Sequence, residues 1–414
     1  MLRKAALRQL IHRPMTTLLM ILIMGLSLGI SLFLSALHEG LHEGLTKATE
    51  PFSLLVSSPG SQYQLVLTSV FLQDRPLPNL PYEEVDALSG QKNLVRFALP
   101  LAFGDSYGGY RVVGTTGGIF AMTTGKNKDK WLILQQGRPF SAPYEAVIGA
   151  DVARRLHLTV GSTFSSLHGL VQKGRAHKEH PYTVVGILTD VKGPYNQAIL
   201  TSIESIWDAH EHKKNKRLEA KKADNKTHND HKEVSAILVE PVGYSEAYQL
   251  AAKYQHRKDA MLVFPSQSIV QLFNLMGCGE RMWQKVGLFL IVLSTLIVVM
   301  TSYLSSLSRL REYAIMRALG ATGKDISHIF LWQNAFLVLC GTAAGTLLGI
   351  GAYTLLAHAL ASTTALSLPL FSFSPVMGIL LATITPEIAK AIVPIISMTK
   401  LNVAFIHTPI KKQP

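Results

Sequence analysis

Cysteine is almost missing from this sequence. Cys278 and Cys340 are the two in 414 residues, too few for a disulfide framework, and Cys340 falls in an apolar run where it packs as a small hydrophobe. A nucleotide-binding loop is missing as well. Phosphate-cradling glycines need the order G-x-x-x-x-G-K-[ST]. The nearest candidate, Gly323-Lys324, has Ala318 where the first glycine belongs and Asp325 where the hydroxyl belongs. No Ser/His/Asp, paired-carboxylate or Cys/His arrangement marks a hydrolase, which argues against an enzyme. The formal charge of +13 comes without aromatic residues interleaved among the lysines and arginines, so it does not read as a nucleic-acid surface.

What is abundant is apolar sequence, and it is concentrated. The mean hydropathy is +0.23 with 48% hydrophobic residues, and the excess lies in the runs 16–37, 286–307, 329–360 and 368–397, while 40–280 has the turns and charges of a globular region. Thr16 to Leu37 has no charge over about 22 positions, enough to cross a hydrocarbon core near 30 Å. That length favours an uncleaved anchor over a signal peptide, whose apolar region is about 7–15 residues. Arg3, Lys4, Arg8 and Arg13 precede it, which predicts a cytoplasmic N-terminus. Alternating the remaining runs gives a cytoplasmic segment 1–15, a first span 16–38, an exported domain 39–285 and a second span 286–307. A cytoplasmic segment 308–328 follows, then a third span 329–358, an uncharged outer hairpin 359–374, a fourth span 375–397 and a cytoplasmic tail 398–414. The expected fold is an α-helical membrane protein with four transmembrane helices and a large extracytoplasmic α+β domain between the first two.

In the exported region, turn signals such as Pro59-Gly60 and Gly108-Gly109 separate short β-like runs, for example Gln64–Phe71 and Val234–Val239. Tyr82–Leu88 and Glu145–Leu156 read as helices, the second through the spacing of Ala146, Val147, Ala150, Val152, Ala153 and Leu156. The runs Gln136-Gly137-Arg138-Pro139-Phe140, Glu145-Ala146-Val147-Ile148-Gly149, Leu156–Phe164 and Tyr182-Thr183-Val184-Val185-Gly186-Ile187-Leu188 resemble the periplasmic core domain of MacB-like permeases. Physically, their glycines suit turns between short strands and a helix, which specifies a scaffold without catalytic residues.

After the second apolar run, Ser308-Arg309-Leu310-Arg311-Glu312-Tyr313-Ala314-Ile315-Met316-Arg317-Ala318-Leu319-Gly320-Ala321-Thr322 reads as a short amphipathic helix stopped at a glycine. It resembles the FtsX-type signature, and Pro394–Val403 resembles the closing segment of the same permeases, with Leu-Asn-Val where Leu-Asp-Pro is usual. The resemblance, to MacB/FtsX-like (LolC/E-like, type VII) ABC permeases, implies a bacterial inner-membrane subunit. In that family Arg309, Arg311, Glu312, Ile315, Arg317, Leu319, Gly320, Ala321 and Thr322 would couple to a separate ATP-binding subunit that carries ATP and magnesium. It also implies a second permease copy, identical or related. A bland alternative for 309–322 is a basic loop held by anionic membrane lipid.

Three further features carry weaker chemistry. Residues 207–233 form a polar insertion holding His210, His212, His228 and His231 among eight lysines and arginines. The histidine spacings admit zinc, but a solvated loop with incidental histidines is the default. A looser group, His157, His168, His177 and His180, reads as ordinary surface or core histidine. In the last apolar run, Glu387 and Lys390 are spaced to pair across one helical turn. Gly341, Gly345 and Gly349 form a small-residue stripe fit for close helix packing, inside the bundle or between copies. The function these readings support is mechanical: hydrolysis in a partner chain reshapes the exported domain, for export or extraction of a periplasmic or membrane cargo such as a lipoprotein. A link to zinc handling is one variant. An FtsX-like regulator that activates a periplasmic hydrolase is the alternative.

Overall fold

The computed structural model describes residues 8, 10–12, 14–124, 129–168, 181–191, 193–208, 232–276 and 315–364, with isolated positions between 285 and 300. The chain divides into two compact units, 1–41 with 276–359 and 369–414, and 42–275 with 360–368.

Among the described residues the first unit holds two long helices, whose ends at 42–49 and 360–364 fall in the second. Helix α1 spans Pro14–Thr49 and helix α7 spans Gly323–Thr364. Both are long and apolar enough to cross a membrane, the second through Trp332–Ala361. The expected second and fourth spans, at 286–307 and 375–397, lie largely or wholly outside the described residues. Along α1 the sequence Gly25-x-x-x-Gly29 meets Gly341, Gly345 and Gly349 of α7. A Cβ added at Gly345 would lie 2.8 Å from the Gly25 carbonyl, one at Gly349 3.0 Å from the Gly29 carbonyl, and one at Gly341 2.9 Å from Met24 Cβ. At Gly25 with Gly345 and at Gly29 with Gly349 the backbones approach this closely because neither side carries a side chain. Tyr353, 3% exposed, closes the same seam over Gly40.

The second unit is an α/β domain around a mixed sheet. Its strands are β1 (Leu54–Ser57), β2 (Leu80–Pro81), β3 (Val95–Tyr107), β4 (Tyr110–Thr115), β5 (Thr123–Thr124), β6 (Asp129–Lys130), β7 (Leu134–Gly137), β8 (Glu145–Ile148), β9 (Thr163–Phe164), β10 (Leu167–His168), β11 (Tyr182–Leu188), β12 (Ile199–Ser202), β13 (Glu233–Val234), β14 (Ala236–Pro241) and β15 (Met261–Val263). Its shorter helices are α2 (Gln62–Ser69), α3 (Glu83–Ser89), α4 (Ala150–Leu156), α5 (Tyr244–Gln255) and α6 (Pro265–Met276). The main sheet runs β15-β1-β14-β3-β4-β12-β8-β11-β7. Only β4 with β12 and β8 with β11 are parallel; the other pairs are antiparallel.

Strand β3 gives its first half to β14 and its second to β4, with a register shift between Phe103 and Ser106. The sheet is covered on both faces. Leu55, Leu101, Val113, Val147 and Leu200 enter one core, and Leu54, Ala102, Val112, Ile148 and Ile199 the other. Alternate burial on two faces explains why these strands read as unbroken apolar runs.

Two expected elements are corrected. Gln64–Phe71 looked β-like from Val66 and Leu67, yet Gln64–Ser69 belongs to α2 and Val70 is its C-cap. Ser61 Oγ caps the helix by accepting from Gln64 N at 3.4 Å, and Leu65, Val66, Thr68 and Ser69 are its buried positions. The helix expected over Glu145–Leu156 is split. Glu145–Ile148 is strand, and the helix starts only at Ala150. Gly149 marks the break, since a side chain there would overlap the Asn196 carbonyl. By contrast, the helix expected at Tyr82–Leu88 is α3, and Val234–Val239 is strand interrupted at Ser235. Ser235 Oγ accepts from Phe103 N at 3.2 Å and donates to Asn79 Oδ1 at 3.1 Å.

Candidate coupling site

Residues 315–318 form the last helical turn of the segment that reads as amphipathic, and the turn is closed by Gly320. The Gly320 N–H donates to the Arg317 carbonyl and the Ala321 N–H to the Met316 carbonyl, each at 3.0 Å. With Gly320 at φ +97°, this is a Schellman termination, in which a left-handed residue lets the chain turn back onto the last carbonyls. A β-carbon at that φ would strain against the following carbonyl.

The next helix begins at once. Thr322 precedes α7 and exchanges bonds with Asp325. Asp325 N donates to Thr322 Oγ1 at 3.3 Å, while Thr322 N and Oγ1 donate to Asp325 Oδ2 at 2.9 and 2.6 Å. This reciprocal arrangement is a capping box with aspartate in the third position. Those hydrogen bonds, helped by His328, hold the Asp325 carboxyl below the usual range. One residue, Ala321, separates the two caps. The result is a stiff elbow between two helices, fixed by backbone bonds at both ends.

The elbow presents apolar side chains outward. Ile315 is 56% and Leu319 83% exposed, four residues apart on one face. Arg317, Ala318 and Thr322 are exposed beside them, while Ala321 is half-buried. Arg309, Arg311 and Glu312 lie outside the described residues. The sequence reading singled out Thr322 but took Asp325 only as a charge; the T-x-x-D spacing was the signal for the cap.

The other candidate residues are distributed as follows. Gly341, Gly345 and Gly349 are brought together with Gly25 and Gly29 in the helix seam, partners missed although G-x-x-x-G is plain in α1. His210, His212, His228, His231, Glu387 and Lys390 lie outside the described residues. His157 is the left-handed C-cap of α4 at φ +53°. Among the described residues no group of three or more His, Cys, Asp or Glu side chains converges as a metal centre.

The glycine-bearing scaffold runs also have their geometry explained. At Gly137, φ +78°, a side chain would overlap the Val185 carbonyl, and at Gly186 one would overlap the Arg138 carbonyl. Between these crossings Arg138 forms a two-pronged ion pair with Glu145, one bond at 2.8 Å, and Ser141 N donates to the same carboxylate at 2.8 Å. Led by the Arg138 bond, these donors pull the Glu145 carboxyl down to about 2.

Two helices long and apolar enough to cross a membrane, together with a two-core α/β domain, are the described parts of a membrane protein with a large polar domain. The chain belongs to the MacB/FtsX-like ABC transporter permeases. The MacB-like periplasmic core domain matches residues 17–239, over half of the chain, and the FtsX-like permease C-terminal domain matches residues 285–403. Comparison with curated proteins finds no match. Permeases of this family are non-catalytic transmembrane subunits that generally work with an ABC ATPase subunit.

Proposed function

We propose that this chain is the mechanical half of an inner-membrane ABC system. An ATP-binding subunit, carrying ATP and magnesium, docks on the elbow at 315–325, and its closure is passed through the membrane helices to the α/β domain. The observation that carries this reading is the elbow itself: two apolar side chains, Ile315 and Leu319, held outward by caps on both sides, within the FtsX-like region. A flexible loop would absorb a push, whereas a turn fixed by five backbone and side-chain bonds transmits it. The cytoplasmic placement of the elbow, four spans, a second permease copy and extraction of a periplasmic or membrane cargo complete the proposal. The linkage needs no substrate path through this chain.

The test is purification of the native complex through this chain, with ATP hydrolysis as the readout. Leu319→Glu puts an uncompensated charge into the docked surface, so it should strip the ATP-hydrolysing subunit while the helical content of this chain stays intact. Full retention of ATPase activity in that variant would remove the elbow as the docking point.

A further inference from the structure

Within α1 the sequence Leu37-His38-Glu39-Gly40-Leu41-His42-Glu43-Gly44 repeats a tetrapeptide, Leu-His-Glu-Gly. A four-residue repeat advances about 400° around an α-helix, so each residue type forms its own stripe along the axis. The glycine stripe faces inward: Gly40 and Gly44 are both buried, and a side chain at Gly40 would overlap the Tyr353 hydroxyl. The histidines stand two residues from the glycines, about 200° around the axis, and therefore face away from that packing. His42 is exposed and His38 half-buried. The His42 ring rests against Phe273 of α6, centroids 5.3 Å apart, which limits its rotation.

We propose that His38 and His42 chelate a zinc-class divalent cation where α1 leaves its apolar stretch. Side chains at i and i+4 of a helix stand about 5–6 Å apart at Cβ, the spacing by which His-Glu-x-x-His segments place two imidazoles on one metal. Lys47, a turn further along α1, is paired with Glu43 at 2.6 Å, so it does not oppose the metal. No third His, Cys, Asp or Glu ligand converges with them among the described residues. A metal bridging the pair clamps one turn of α1.

Two measurements on the intact detergent-purified chain test the site. In calorimetric titration with Zn2+, His38→Gln, His42→Gln and the double variant should each lose one equivalent of binding, or show it weakened at least tenfold, relative to the parent. An unchanged isotherm in the double variant overturns the proposal. Histidine carbethoxylation of the unmutated chain, read by mass spectrometry, gives an answer that does not depend on a variant folding. Zn2+ should protect His38 and His42 together, at one midpoint, and modification of either at an unchanged rate overturns it equally.

Discussion

Gly320 and Glu145 show how much a single residue decides in this chain. At Gly320 the left-handed backbone makes glycine the cheapest occupant, and a β-branched substitute costs about 1–2 kcal/mol. Gly320→Val should therefore speed hydrogen exchange at the Ala321 N–H, which is bonded to the Met316 carbonyl, by about tenfold or more. Gly320→Asn, which tolerates this conformation, should change it less. Thr322→Ala removes the cap on α7 and should cost about 1 kcal/mol of local helix stability.

Glu145 carries a pH dependence whose sign is fixed by its lowered folded pKa of about 2 against the usual value near 4.5. A depressed carboxylate stabilises the fold fully above its unfolded value and loses that contribution as pH falls from about 4.5 toward 2. Glu145→Gln should flatten the thermal midpoint against pH over that window. Arg138 is 54% exposed, so added salt should shrink the difference. The glycine and the cap were legible in sequence because their chemistry is local. The Arg138 to Glu145 pair was not, since nothing in the spacing says that a loop brings them together.

Elements were readable where one face is buried and ambiguous where two are. Helix α3 and the long helices announce themselves by length, charge pattern and apolar content. Strand β8 did not, because Ala146, Val147 and Ile148 are all fully buried, and an unbroken apolar run fits a helix as well as a strand in a two-sided sheet. The glycine stripe of α7 was visible, but its partner could not be chosen between α1 and another copy without coordinates. The seam now makes a contrast that sequence alone could not. Gly345→Leu places a side chain against the Gly25 carbonyl and Leu28, and overpacking of this kind costs about 1–3 kcal/mol. Gly351 has nothing within 4 Å of its would-be Cβ among the described residues. Gly345→Leu should lower the melting midpoint of the detergent-solubilised chain, and Gly351→Leu should leave it nearly unchanged. Equal effects would mean that the seam is not what sets the cost.

At the scale of the molecule, the division into apolar helices and one large polar domain follows from the spacing of apolar runs, but the way the domain tolerates its insertion does not. The stems of the polar segment are clamped together. Trp207 Nε1 donates to the Glu233 carbonyl at 2.7 Å, Lys232 stands over the Trp207 ring at 5.1 Å, and Tyr82 meets that ring edge-on at 5.2 Å. One residue further, Asp208 accepts from the Tyr144 hydroxyl at 2.6 Å. These contacts link pieces up to 125 positions apart in sequence, from Tyr82 to Trp207, so no local pattern could reveal them. They close the domain at the two stems of the insertion. Replacing 209–231 by a short glycine-serine linker leaves every one of these contacts in place, and shortening a loop changes its closure entropy by only about 0.6 kcal/mol per halving. The thermal midpoint of the shortened chain should stay within a few degrees of the parent. Trp207→Ala, which removes the ring that Lys232 and Tyr82 pack on and the bond to Glu233, should lower it clearly in both the parent and the shortened chain. A large loss on shortening, with no further loss on removing Trp207, would show that the insertion itself holds the neck together.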